Sequence, residues 1–238
     1  MSILIYGKNP VNEILNTDRE IFNAFVEERT NRFIIEKLIQ KNISITYLSK
    51  FEFKKRFLGN HQGIVLEVKD YETIELKEFL NTLDMSKNPL VLILDGITDP
   101  HNFGAIIRSA EAGGVAGIII PKNRSVAITS TVVKVSSGAI EYMKIVKVTN
   151  LRNTIEKMKK AGFWTVGTDL EAEKSYKEID VSTPLLLVIG SEGKGMSKLL
   201  KKTVDYNVKI DMVGTINSLN ASVSAGILIF DILRKKQI

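Results

Sequence analysis

Cysteine is absent from the 238 residues, which excludes disulfide scaffolds, Cys-ligated zinc, iron–sulfur clusters and thiol nucleophiles. Histidine is nearly absent: His61 and His101 are too few for a His-rich site, so no metal is expected. Long apolar runs are missing too. The longest, such as residues 185–189 and 225–230, fall far short of the roughly 20 residues that a membrane span requires. The opening Met-Ser-Ile-Leu-Ile-Tyr carries neither a basic leader nor a small-residue cleavage pattern. A cytoplasmic protein with no membrane partner is therefore expected. No internal repeat, low-complexity tract or heptad pattern occurs.

What is present is ordinary globular composition, 44% hydrophobic and 25% charged, at a length that allows one or two domains. The net charge is +6, from 25 lysines and 8 arginines against 27 acids. That balance suits a polyanionic partner, although many enzymes share it. Lys50, Lys54, Lys55 and Arg56 interleave with Phe51, Phe53, Phe57 and His61. Two readings are open for this stretch: a surface for nucleic-acid backbone contact and base stacking, or a helix with Phe53 and Phe57 in the core and its lysines in water.

The chain changes texture near Pro89. Before it, a helix opening around Pro10, helical spacing of Ile34, Ile35, Leu38 and Ile39, and strand candidates at 43–48 and 63–68 outline a small α/β unit. A charged segment with one helical patch at 76–83 follows. After Pro89, continuous apolar runs at 90–94, 117–120, 164–166 and 185–189 alternate with helical stretches at 103–112, 151–161 and 197–202. Runs of this kind are strands buried on both faces, and the alternation predicts an open α/β domain with a parallel sheet. A last helix is predicted within 218–236.

Ligands of such sheets bind beyond the carboxyl ends of strands. Three of these ends are unusually polar. The first runs from Asp95 through Asp99-Pro100-His101-Asn102-Phe103-Gly104 to Arg108, with Asn102 a candidate N-cap and Arg108 about 9 Å further along the helix. The second, Gly190-Ser191-Glu192-Gly193-Lys194-Gly195, sets a carboxylate inside a glycine-rich turn. Its spacing matches neither the P-loop nor the dinucleotide fingerprint, and no Ser/Thr follows Lys194, so nucleotide hydrolysis there is not supported. The third crowds Asn217, Ser218, Asn220, Ser222 and Ser224 around a helix start, with capping by Asn217 or Ser218 as the plain alternative.

In order and separation, these three segments resemble the signature motifs of the SpoU (TrmH-like) branch of the SPOUT RNA methyltransferases, over residues 90–236. The matching pieces are 99–104 with Arg108, 190–195, and Ser218-Leu219-Asn220-Ala221-Ser222-Val223. The preceding part resembles, less sharply, the small L30e-like substrate-binding domain of ribosomal-RNA members, through Tyr6-Gly7-Lys8-Asn9-Pro10-Val11 and Asn60-His61-Gln62-Gly63-Ile64-Val65. Asp211 departs from the family's usual proline, and Ala221 and Ser224 replace a common valine and alanine. The implied organisation is an RNA-binding domain at 1–72, a linker at 73–88 and a methyltransferase domain at 89–238. The latter would be a parallel α/β sheet whose C-terminal segment threads a deep trefoil knot.

The resemblance also implies S-adenosylmethionine as cofactor, a homodimer, and methylation of a ribose 2′-hydroxyl. The expected RNA is 23S rRNA at a guanosine, as in RlmB-like members, with tRNA the alternative. By the same likeness Arg108, Asn102, Glu192, Ser218 and Asn220 are the catalytic residues, and Gly190, Ile210 and Leu219 hold the cofactor. The resemblance implies that Arg108 activates the hydroxyl; a charged guanidinium is better suited to stabilising the forming alkoxide or orienting a phosphate, and the base role stays open only if burial forces it neutral. Glu192 would orient Arg108 or accept the proton. A non-catalytic RNA- or ribosome-binding module is the competing reading, disfavoured because all five polar residues stand together.

Overall fold

A computed structural model of the chain describes residues 2–28, 32–58, 61–123, 125–215 and 218–237. Asn60 and Asn217, named above, lie outside the described residues. In chain order the elements are β1 (Ser2–Tyr6), α1 (Lys8–Leu15), β2 (Ile21–Glu27), α2 (Arg32–Gln40), β3 (Ile45–Leu48), α3 (Lys50–Arg56) and β4 (Ile64–Lys69). Next come α4 (Leu76–Asn81), β5 (Leu90–Asp95), α5 (Pro100–Ala112), β6 (Gly117–Pro121), α6 (Ser130–Val135) and β7 (Ile145–Val148). The chain continues with α7 (Leu151–Lys160), β8 (Trp164–Thr168), β9 (Lys174–Ser175), β10 (Leu185–Gly190), α8 (Lys198–Thr203), β11 (Tyr206–Lys209) and α9 (Ala221–Lys236). Among the described residues, no helix is long and apolar enough to cross a membrane, and no cluster of His, Asp and Glu could hold a metal ion.

The chain divides into two compact units, Met1–Tyr71 with Ile128–Tyr142, and Glu72–Ala127 with Met143–Ile238. The first is built on a mixed sheet of order β1-β4-β2-β3. Phe25, Phe53, Phe57 and Val65 pack together within it, with the Arg56 guanidinium 4.2 Å from the centre of the Phe25 ring. Phe53, on the inner face of α3, and Phe57, the extended residue that caps its C-terminus, therefore serve the core, as the plainer of the two readings expects.

Residues 128–142, which leave the second unit after β6, belong to this first unit, a placement with no signal in the local sequence. They are anchored by charge as well as packing. Glu141, only 1% exposed at its side chain, accepts from Arg19 Nε at 2.6 Å and from the Tyr71 hydroxyl. The Arg19 guanidinium also lies 3.8 Å above the Tyr71 ring. Burial, reinforced by the Glu141 charge, pushes the Tyr71 phenol far above its usual range, so it stays a donor.

The second unit carries a wholly parallel sheet of order β7-β6-β5-β10-β8-β11-β9. Its central strands are buried on both faces, as the continuous apolar runs require. One face is closed by Phe79 of α4, Ile155 and Met158 of α7 and Leu200 of α8. The stretch at 73–88, read as a linker, thus contributes a fully buried phenylalanine to this core. On the other side α5 packs on α9, and α9 on β10.

Strand order positions the site. From β5 the chain steps outward through β6 and β7, then crosses to β8, and β10 later inserts between β5 and β8. Such a reversal opens a crevice beyond the carboxyl ends of the flanking strands. Those ends are Asp95, Gly190 and Thr168, with Lys209 of β11 alongside.

Candidate active site

The helix after β5 begins earlier than the capping pattern predicts. Asp99, not Asn102, is the N-cap: its carboxylate accepts from the backbone N–H of His101 at 3.0 Å and of Asn102 at 3.3 Å. Pro100 then occupies the first turn, where its missing N–H is not needed and its fixed φ suits the helix. Asn102 sits inside the first turn with its side chain released from capping.

The turn after β10 folds back on itself. Gly195 N–H donates to Ser191 O at 2.8 Å, and a Cβ on Gly190 would lie 2.1 Å from Met196 N. Only glycine fits at 190. Gly193 and Gly195 have φ of +78° and +63°, and a Cβ on either would meet nothing within 4 Å. Their backbone is open to a ligand. Asp95 braces the far side of the turn by accepting from Ser197 N–H at 2.9 Å.

At the third end Asn220 is the N-cap of α9, in place of the Asn217 or Ser218 that the pattern allows. Its Oδ1 accepts from Ser222 N–H at 2.8 Å, Ser222 Oγ at 2.6 Å and Val223 N–H at 3.4 Å. With its oxygen committed to the cap, its amide nitrogen faces the other two loops. Asn220 Nδ2 donates to Asn102 Oδ1 at 2.8 Å and to Glu192 Oε2 at 3.2 Å. One asparagine thus ties together loops separated by 118 and 28 residues of sequence.

Beside this junction lies a cavity of about 370 Å³. Glu192, Gly190, Ile210, Ser218 and Leu219 line it; Asn102 and Asn220 meet at the junction and are not part of the lining. Arg108 is placed differently: it is exposed on α5, does not line the cavity and makes no hydrogen bond or ion pair with any described residue. Asp211 does not face the cavity either, and its carboxylate accepts from Ser175 Oγ at 2.6 Å, tying the loop after β11 to β9.

The sequence reading missed a fourth strand end. Thr168, which ends β8, and Asp169, Leu170 and Glu171, which follow it, line the cavity with Lys201, whose Nζ lies 2.6 Å from Asp169 Oδ1. The polar run after the apolar strand was the available signal. Only the strand order brings it beside Gly190, and Thr168 Oγ1 accepts from Gly190 N–H at 3.4 Å. Met212, Ser224 and Leu228 complete the apolar and small-residue wall.

Comparison with known proteins agrees with this architecture. Residues 89–230 match the model of the SpoU rRNA Methylase family, and residues 4–74 match that of the RNA 2′-O ribose methyltransferase substrate-binding domain. YacO, a Bacillus subtilis protein named as a TrmH family tRNA/rRNA methyltransferase, is 43% identical over 98% of this chain and 95% of its own. An AdoMet-bound rRNA methyltransferase from Sinorhizobium meliloti superposes with a TM-score of 0.81 over 98% of this chain and 87% of its own, at 23% identity. The A. aeolicus TrmH/SpoU tRNA-modifying enzyme matches 68% of this chain and 82% of its own, with a TM-score of 0.59 and 29% identity. With a family match over more than half of its length and a relative of such identity from end to end, the chain belongs to the SpoU rRNA methylase family of RNA methyltransferases.

Proposed function

We propose that this protein transfers the methyl group of S-adenosylmethionine to a ribose 2′-hydroxyl of RNA, at a guanosine of 23S rRNA. The observation that carries the reading is the Asn102–Asn220–Glu192 junction, which gathers three distant motifs at the rim of one cavity. The cavity suits the cofactor. Its volume is in the range of small-molecule sites. It offers apolar walls at Ile189, Ile210, Leu219 and Leu228, unobstructed backbone at Gly193 and Gly195, and polar groups at Thr168 and Asp169. Gly190, Ile210 and Leu219 are the assigned cofactor-holding residues. When bound, the cofactor supplies an electrophilic sulfonium methyl.

The chain's own residues must then position a poor nucleophile and relieve it of its proton. Glu192 is the assigned acceptor. Its Oε2 is steered by the Asn220 amide, and its Oε1 takes no hydrogen bond from any described residue. Asn102, Ser218 and Asn220 hold the ribose and the carboxylate in register. Arg108, exposed and unpaired among the described residues, is assigned to the RNA phosphate or to the forming alkoxide, reached when the RNA or a second copy of the chain supplies the rest of the site. A homodimer, a knotted C-terminal segment and a cytoplasmic location belong to the same reading.

Ribosomal RNA is preferred over tRNA because the two-unit architecture is shared with the S. meliloti rRNA enzyme over 98% of the chain, whereas the A. aeolicus tRNA enzyme matches 68%. The test is methyl incorporation from labelled S-adenosylmethionine into bulk RNA, followed by mapping of the 2′-O-methyl site. Incorporation into 23S rRNA is expected, and it should collapse in Asn102→Ala and Arg108→Ala. Full activity in both variants overturns the site assignment, and a product confined to tRNA overturns the choice of substrate.

A further inference from the structure

The helix α3 was the part of the basic, aromatic stretch with two readings, and its burial separates them residue by residue. Phe53 and Phe57 are buried, yet Phe51 is 77% exposed. Lys54 and Lys55 follow it by three and four positions, so all three share the face turned away from the core. Lys50, Lys54 and Lys55 make no hydrogen bond or ion pair with any described residue. The only acid on the helix, Glu52, is spent on the capping box: its Oε2 accepts from Ser49 Oγ at 2.7 Å and Ser49 N–H at 2.9 Å. Those bonds hold its carboxyl below the usual range.

This is not the general state of exposed aromatics in the same unit. On α2, Phe33 is also exposed, but Lys37 lies 4.9 Å above its ring while donating to Asn16, and Arg32 pairs with Glu36 at 3.2 Å. The charge on α2 is largely answered within the protein. On α3 an aromatic face and a group of unanswered cations stand side by side, which is the chemistry of a single-strand nucleic-acid platform: a ring for a base and ammonium groups for the adjoining phosphates.

Resting on the reading of RNA as substrate, we propose that the outward face of α3 is where the first unit grips the RNA, with an unpaired base stacked on Phe51 and flanking phosphates on Lys50, Lys54 and Lys55. The surface is far simpler than a sequence-reading site. It discriminates an open strand from a duplex, since a paired base keeps its face covered, and it tolerates any base.

The test uses the full chain and a short, labelled, mixed-sequence single-stranded oligoribonucleotide, with binding read by fluorescence anisotropy. Phe51→Ala is expected to weaken binding about tenfold. Phe51→Tyr should restore it, and Phe51→Leu, apolar but without a π face, should not. Lys54→Gln with Lys55→Gln should flatten the slope of log affinity against log salt by about 1.4, near 0.7 for each phosphate contact on a single strand. A duplex of the same sequence should be indifferent to Phe51. Calorimetric affinity for S-adenosylmethionine and the thermal midpoint should stay at wild-type values in all variants.

Wild-type binding of the single strand by Phe51→Ala, rescue by Leu as well as by Tyr, or an unchanged salt slope overturns the proposal; so does failure of the wild-type chain to bind the oligonucleotide. A chain that methylates RNA while these variants bind normally removes this surface and leaves the enzymatic reading standing. A chain that binds through Phe51 but methylates no RNA does the reverse.

Discussion

Replacing Asn220 by aspartate isolates the junction from the helix cap. Aspartate caps a helix as well as asparagine does, so the bonds from Ser222 and Val223 to Oδ1 survive. The amide nitrogen, however, becomes a carboxylate oxygen 3.2 Å from Glu192 Oε2 and 2.8 Å from Asn102 Oδ1. Two like charges about 4 Å apart repel by about 4 kcal/mol at an effective dielectric of 20 and about 1 kcal/mol in water. Glu192 is exposed and Asn220 half-buried, which places the penalty near the lower end, about 1–2 kcal/mol. That lowers the thermal midpoint by roughly 2–8 °C for a protein of this size.

The penalty depends on pH in a defined direction. The repelled carboxyl binds its proton more readily in the folded than in the unfolded chain, so stability recovers as pH falls through its raised folded value. Full loss is expected at pH 7–8 and little below about pH 4. Methyl transfer should fall about a hundredfold, because the carboxylate and the ribose-positioning amide lose their common anchor. Asn220→Ser, which caps without charge and cannot reach both partners, should lose the activity while keeping its stability within about 1 kcal/mol of wild type, a thermal midpoint within about 2–4 °C. Thermal scans across pH beside the incorporation assay decide the matter. An aspartate variant with wild-type midpoint at pH 8 and wild-type turnover would show that the three loops are not coupled through this side chain.

Two further outcomes follow from individual contacts. In Gly190→Ala the new Cβ would meet backbone atoms, Met196 N at 2.1 Å and Gly195 C at 2.2 Å, so the turn must move; a loss of about 1–3 kcal/mol and at least about tenfold weaker S-adenosylmethionine binding by calorimetry are expected. Asp205 accepts from Thr165 N–H and Oγ1 and pairs with Lys159 at 2.9 Å; burial would raise its carboxyl, and these partners outweigh it, holding it below the usual carboxylate range. Its stabilisation is therefore present above about pH 4 and lost as pH falls through the depressed folded value, so the stability gap between wild type and Asp205→Asn, about 1.5–3 kcal/mol in denaturant titrations at neutral pH, should close in acid.

Local patterning determined much of this protein. Apolar runs with no alternation could only be strands covered on both sides, and their spacing with helical segments implied the parallel sheet, as β5, β6 and β10 show. Three polar strand ends were visible because a mere turn has no use for a carboxylate among glycines or five small polar side chains at a helix start. What depends on contacts between distant segments was not legible. Asn102 carried the chemistry of a cap, yet Asp99 takes that place with Pro100 next to it, and what the Asn102 amide meets instead is Asn220, 118 residues away. The loop after β8 became part of the cavity because β10 inserts beside β8, a choice of strand order that no window of sequence encodes. Residues 128–142 read as part of the second unit until the buried Glu141 found Arg19 and Tyr71, since a charge can be buried only where its partner already stands. Periodicity reports which side of an element faces inward; what it faces is decided when the chain closes on itself.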